Sequence, residues 1–250
     1  MRVPGNQDIV RAVPINQPAS GCKIKHVEPI FNQIKCGPLS LMNLYNQEML
    51  RALSRDPVLK RIVKKVPPEK LYLSDADGRV REHLIASIIS QQLSVQVARV
   101  INRRFLDLFP SDFPSNQQIL SMATEDLRSV GLSGQKASYI RNIAEHFTEH
   151  KWKNEDFHDM GDEEIIVKLS QIKGVGRWTA EMVLIFCLGR PDVFAADDLG
   201  IQMSMKAWYQ IDGDRKSLIK TMKDQAEKWK PFRTAASLYL WAAKDLKIEI

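Results

Sequence analysis

Residues 169–182 read LSQIKGVGRWTAEM, and the rest of the chain is interpreted outward from there. Ile165, Ile166, Leu169 and Ile172 recur at spacings that give one helix an apolar face. That helix opens on Asp162-Glu163-Glu164, acids that the helix dipole favours in a first turn. It runs into Lys173-Gly174-Val175-Gly176, a turn too tight for side chains, and a second helix is predicted from near Arg177 to Leu188, stopped by Gly189 and Pro191. Glycine lets a backbone approach a partner closely, and open N–H groups at the start of a helix attract an anion. Gly174, Val175, Gly176, Arg177 and Thr179 are therefore candidate phosphate-gripping residues. On its own, G-x-G fits an ordinary helix connection better, so its surroundings must discriminate.

Those surroundings are helical. Leu84–Ser90 (LIASIIS) reads as a buried helix running into Gln91-Gln92-Leu93, after which Ser94 is a natural N-cap for a helix carrying Val97, Val100, Ile101 and Phe105. Pro110 bounds that helix, and short helices follow at about 115–123 and 124–130. Gly131-Leu-Ser-Gly134 makes a turn before an amphipathic helix at 135–147, and a last helix is expected at 234–244. Asp192–Ala196 reads as a short extended stretch, with Asp197-Asp198 opening another helix. No convincing alternating strand pattern occurs, and the fold class is all-α. Residues 1–40 hold five prolines without periodicity and read as an extension; residues 41–250 form the folded domain.

Composition narrows the function classes. The 250 residues are 44% hydrophobic with a net charge of +6, enough to bury a core and compatible with a polyanionic partner. The three cysteines, Cys22, Cys36 and Cys187, have no short paired spacing, which argues against a disulfide framework, a zinc site or an iron–sulfur cluster. Cys187 lies in an apolar run and reads as a small core residue. No signal peptide or membrane-spanning run is visible, so the expected location is cytoplasmic (the nucleoid) in a bacterium or archaeon, or nuclear in a eukaryote.

Twenty residues beyond Trp178 stands Asp198, in VFAADDLGI. GVGRWTA, VFAADDLGI, Gln91-Gln92-Leu93-Ser94, Gly131-Leu-Ser-Gly-Gln-Lys-Ala137 and Trp229-Lys-Pro-Phe-Arg233 together resemble the helix-hairpin-helix DNA glycosylases, in particular the 3-methyladenine DNA glycosylase II branch. The likeness runs over about residues 45–245 with the landmarks in the family's order. It implies two helical subdomains flanking a DNA-binding cleft, with the helix-hairpin-helix at 162–188. Asp198 is then the catalytic aspartate, with Ile201 the apolar residue three positions on; Asp197 becomes a neighbour or helix cap. A carboxylate there would stabilise positive, oxocarbenium-like charge on the sugar and position or deprotonate the attacking water.

The resemblance also implies the remaining roles. Bifunctional members carry a lysine at the position of Trp178, and an indole cannot form their Schiff base, so a monofunctional hydrolase with no strand-cutting step is expected. Alkylated purines carry positive charge, which weakens the glycosidic bond and suits aromatic recognition. Trp178, Phe232, Met182 and Leu199 are the pocket candidates. Met182 and Leu199 stand where some members have aromatics, and Phe232 replaces a larger ring. Gln92, with Leu93 beside it, is the candidate wedge that fills the gap left by an extruded base. The main-chain carbonyls of Ser170, Ile172 and Val175 are a candidate Na+ or K+ site; no other cofactor is implied. Lys136, Arg177 and Arg233 are candidate phosphate contacts. The expected partner is double-stranded DNA containing alkylated bases, met by a monomer. Removal of hypoxanthine or uracil, or a helix-hairpin-helix module that binds DNA without cutting it, are the alternatives.

Overall fold

The structure is a computed structural model, describing residues 46–71, 76–110 and 113–248. The proposed extension at 1–40 lies outside the described residues. Among those described, every regular element is a helix, and none is long and apolar enough to cross a membrane.

The chain opens with α1 (Gln47–Leu53) and α2 (Pro57–Lys65). Asp56 caps α2 by accepting from the Val58 and Leu59 amides, while its other oxygen accepts from Gln225 Nε2 (2.6 Å) and Trp229 Nε1 (2.9 Å). One buried carboxylate thus ties the first helices to the end of the chain. Next come α3 (Val80–Ser90), α4 (Val95–Leu106), α5 (Asn116–Ser121), α6 (Thr124–Ser129) and α7 (Gly134–Glu149). As expected, Ser94 caps α4; the helix ends at Leu106, a turn before Pro110. Two helices are buried nearly all round, as central helices must be. α3 packs against α4, α7 and the hairpin's second helix. α12 (Arg233–Asp245) packs against α2 and α10 (Leu199–Tyr209). α11 (Arg215–Ala226) leads into α12.

The helix-hairpin-helix forms as read, α8 (Asp162–Leu169) followed by α9 (Arg177–Met182). The continuous helix expected to Leu188 does not. From Val183 to Cys187 the chain widens into a π turn, closed by Leu188 N–H to Val183 O (3.0 Å). These five residues are all buried apolar side chains, and nothing in VLIFC distinguishes an α from a π turn in advance. Gly189, at φ +62°, ends it.

Beyond it, the start of α12 clamps the segment leading to Asp198. Thr234 Oγ1 donates to Arg190 O (2.6 Å) and accepts from Val193 N–H (3.0 Å), and Arg233 pairs with Asp192 through Nε (2.8 Å). An extended stretch is thereby fixed at its base and delivers Asp198 to the first turn of α10.

Candidate active site

Asp198 is the N-cap of α10, its Oδ1 accepting from Ile201 N–H at 2.8 Å. The cap is Asp198 itself, not Asp197, which is turned outward and paired with Arg215 (3.2 Å). Two tryptophans complete the cradle. Trp178 Nε1 donates to Oδ2 at 2.8 Å, and Trp241 Nε1 donates to Oδ1 at 2.7 Å. The carboxylate is held by three N–H donors and remains part-exposed, reachable from solvent. Trp241 is itself fixed, 8% exposed and stacked on Phe186 with ring centroids 5.7 Å apart. Gly200 lets the cradle close: a Cβ there would lie 3.0 Å from both Asp198 Oδ1 and Trp241 Cδ1.

Sequence reasoning missed Trp241 and Gly200. The only signal for Trp241 was a tryptophan in a helix whose middle is mostly small and apolar, which reads as core until its N–H direction is known. Of the predicted pocket residues, Trp178 is half-buried and Met182, one turn on, is buried. Leu199 follows Asp198 and is 69% exposed, a lip rather than a wall. Phe232 is half-buried at the N-cap of α12, the helix that carries Trp241.

In the hairpin the two glycines have different reasons to be there. Gly174 sits at φ +104°, and a Cβ would fall 2.3 Å from Tyr139 Cγ. Gly176 is extended, with open space where a Cβ would go, and as N-cap of α9 it offers no side-chain acceptor to the first-turn N–H groups. Val175 and Thr179 are buried, so they face a partner through backbone alone. For the candidate cation site, Ile172 O accepts from Val175 N–H (2.9 Å), which leaves it one lone pair for an ion.

The three expected phosphate contacts each have partners within the chain. Arg177 forms a two-pronged pair with Glu163 and donates from Nε to Glu181 (3.1 Å). Arg233 is held by Asp192 and Glu227. Lys136 donates to the carbonyls of Ile89 and Gln91. Sequence alone counts charge and does not show which partners engage it. Burial pushes the Glu181 carboxyl up to about 7, against the pull of Arg177, and its Oε2 has no hydrogen-bond partner. Glu181 lines a cavity of about 300 Å³ with Arg177, Asp192, Phe194 and Lys223.

Residues 85–231 match the family model for the HhH-GPD superfamily base excision DNA repair protein. The chain belongs to the HhH-GPD superfamily. It is 35% identical over 189 residues to DNA-3-methyladenine glycosylase 1 of Schizosaccharomyces pombe, covering 75% of this chain and 82% of that one. The solved 3-methyladenine DNA glycosylase of the same yeast, in complex with abasic DNA, superposes with a TM-score of 0.67 at 33% identity, over 80% of this HhH-GPD chain and 97% of its own. A DNA-3-methyladenine glycosidase from Bacillus halodurans superposes with a TM-score of 0.66 at 29% identity, over 82% and 93%. Membership accounts for the all-helical architecture and for DNA as the partner.

Proposed function

We propose that this HhH-GPD protein is a monofunctional DNA glycosylase that hydrolyses the N-glycosidic bond of alkylated purines, leaving an abasic site with the strand intact. The carrying observation is the Asp198 carboxylate, held by Trp178, Trp241 and the α10 backbone. A module that only grips phosphate needs a helix cap but no pair of indole N–H groups fixing both oxygens of that cap.

In this reading the base rotates out of the duplex and the sugar comes to rest beside Asp198. The leaving base already carries positive charge, so little acid catalysis is required of the protein. As the glycosidic bond lengthens, Asp198 stabilises the developing cation and orients the water that attacks it. The three donors hold the carboxylate in one orientation before DNA arrives, so no reorganisation accompanies the step. Trp178 offers its part-exposed ring as a stacking face for a cationic base while its edge holds Asp198. An indole has no amine for a Schiff base, which supports the absence of a lyase step. Gly176 and the first-turn N–H groups of α9 would grip a phosphate, and Gln92, with Leu93 packed behind it, would fill the vacated stack. Ser170, Ile172 and Val175 would hold a monovalent cation that stiffens the hairpin.

The test is release of free base from methylated duplex DNA by wild type and Asp198→Asn. Wild type should free methylated purines and leave strands unbroken until alkali is added, while the variant binds DNA and releases nothing. Tight binding of abasic duplex with no release by wild type would instead make the chain a non-catalytic DNA-binding module.

A further inference from the structure

The turn between α3 and α4 is held from outside by a lysine. Lys136, in the first turn of α7, donates from Nζ to Ile89 O and Gln91 O, each at 2.8 Å. These carbonyls lie at the C-terminal end of α3, where helix geometry leaves acceptors without partners and the dipole favours a cation. The lysine is anchored in turn, its own N–H donating to Ser133 Oγ at 3.2 Å. Burial pulls its pKa below the ordinary lysine value, as expected of an ammonium turned inward. The next residue along, Gln92, is exposed and adopts φ +59°, a left-handed conformation that a residue with a Cβ rarely takes unless its surroundings impose it. Leu93 N–H to Ser90 O (3.1 Å) closes the turn locally, and Lys136 is the side chain that reaches it from another helix.

We propose that Lys136 is a positioning residue for DNA: by bracing the last carbonyls of α3 it locks the 91–93 turn in the shape that aims Gln92 at the duplex. This rests on the reading of Gln92 as the wedge. A side chain that must fill the space of an extruded base is worth most when it is already ordered, because a loose turn would lose conformational freedom at the moment of base extrusion. Lys136 then acts on extrusion rather than on bond breaking, and its importance depends on how firmly the lesion is stacked and paired.

The experiment is single-turnover release of 7-methylguanine from duplex in which the lesion lies opposite cytosine or opposite thymine, using the full chain, with Lys136→Met, Gln92→Ala and the double variant. Affinity for duplex holding a tetrahydrofuran abasic analogue is read alongside. Lys136→Met should slow release from the matched pair about tenfold, as loss of a charged donor permits, and from the mismatch about twofold or less. Gln92→Ala should do the same, and the double variant should be no slower than Gln92→Ala. Equal losses in both contexts, or losses that multiply in the double variant, would overturn the assignment of Lys136 while leaving Gln92 in place. No effect of Gln92→Ala on the matched pair or on abasic affinity would remove the wedge reading itself, and the proposal with it. Should Lys136→Met not fold, Lys136→Gln, which gives up the charge and keeps one donor group, replaces it in the same cycle.

Discussion

Trp241→Phe isolates what the cradle contributes to Asp198. The substitution deletes the 2.7 Å bond to Oδ1 and leaves that oxygen the Ile201 amide and the other oxygen the Trp178 indole. A hydrogen bond to a charged group is worth about 1.5–3 kcal/mol. The bond is present both before and during reaction in this mechanism, so only part of that loss falls on the barrier. Taking about half, the barrier rises by about 0.75–1.5 kcal/mol and the single-turnover rate falls about 4- to 13-fold. Phenylalanine keeps a ring facing Phe186, so stability should fall by about 1–2 kcal/mol from lost volume, well short of unfolding. The assay is base release under single-turnover conditions at saturating DNA, with a urea melt run in parallel. A full rate alongside a weakened fold would refute the reasoning and reduce Trp241 to a core residue that happens to touch the carboxylate.

The two hairpin glycines should separate cleanly. Gly174→Ala must place a Cβ at φ +104° and 2.3 Å from the Tyr139 ring, so a urea melt should show a loss of about 3 kcal/mol or more; a loss under about 1 kcal/mol would mean the hairpin relaxes freely. Gly176→Ala meets open space and should leave stability within about 0.5 kcal/mol, yet weaken binding to abasic duplex about tenfold if a phosphate approaches there. Unchanged affinity would take Gly176 out of the interface. Glu181 predicts a pH effect. Its carboxyl is raised to about 7 in the fold from an ordinary 4.5, so the stability it contributes is full below about 4.5 and is lost as pH rises through 7. Glu181→Gln should therefore gain on wild type by about 1–3 kcal/mol between pH 5.5 and 8.5, measured by thermal melts; a difference flat with pH would sink this.

What sequence conveyed and what it withheld divide along physical lines. Local signals were readable: Ser94 as a cap, glycines at the hairpin, acids opening α8, and apolar spacing on α3 and α8. The short amphipathic α1, α2 and α11 were not marked out individually, because each buries only one side against partners far away in the chain. Asp198 was nominated through the family resemblance of its segment, and its role as N-cap follows from its residue type. Trp241 was not identified, since its function lies in the direction of one N–H from a helix 43 residues away. The π turn was equally hidden, being a matter of hydrogen-bond register rather than of residue type.

The fate of the nominated cations changes how DNA recognition should be understood. A net charge of +6 and three well-placed basic residues suggest recognition by side-chain charge. Yet Arg177 is bound by Glu163 and Glu181, Arg233 by Asp192 and Glu227, and Lys136 by helix carbonyls. Each braces an element near the site: Arg177 joins the two helices of the hairpin, Arg233 clamps the segment before Asp198, and Lys136 ties α7 to the turn after α3. With those charges engaged, the proposed phosphate grip at the hairpin would fall to backbone N–H groups at the start of α9, where Gly176 leaves open space. Such a grip is directional and depends on the hairpin's shape. Neutralising Arg177 should accordingly weaken DNA binding by loosening the hairpin, with a slope of affinity against salt close to that of wild type, whereas loss of a true phosphate-pairing cation would lower that slope by about one.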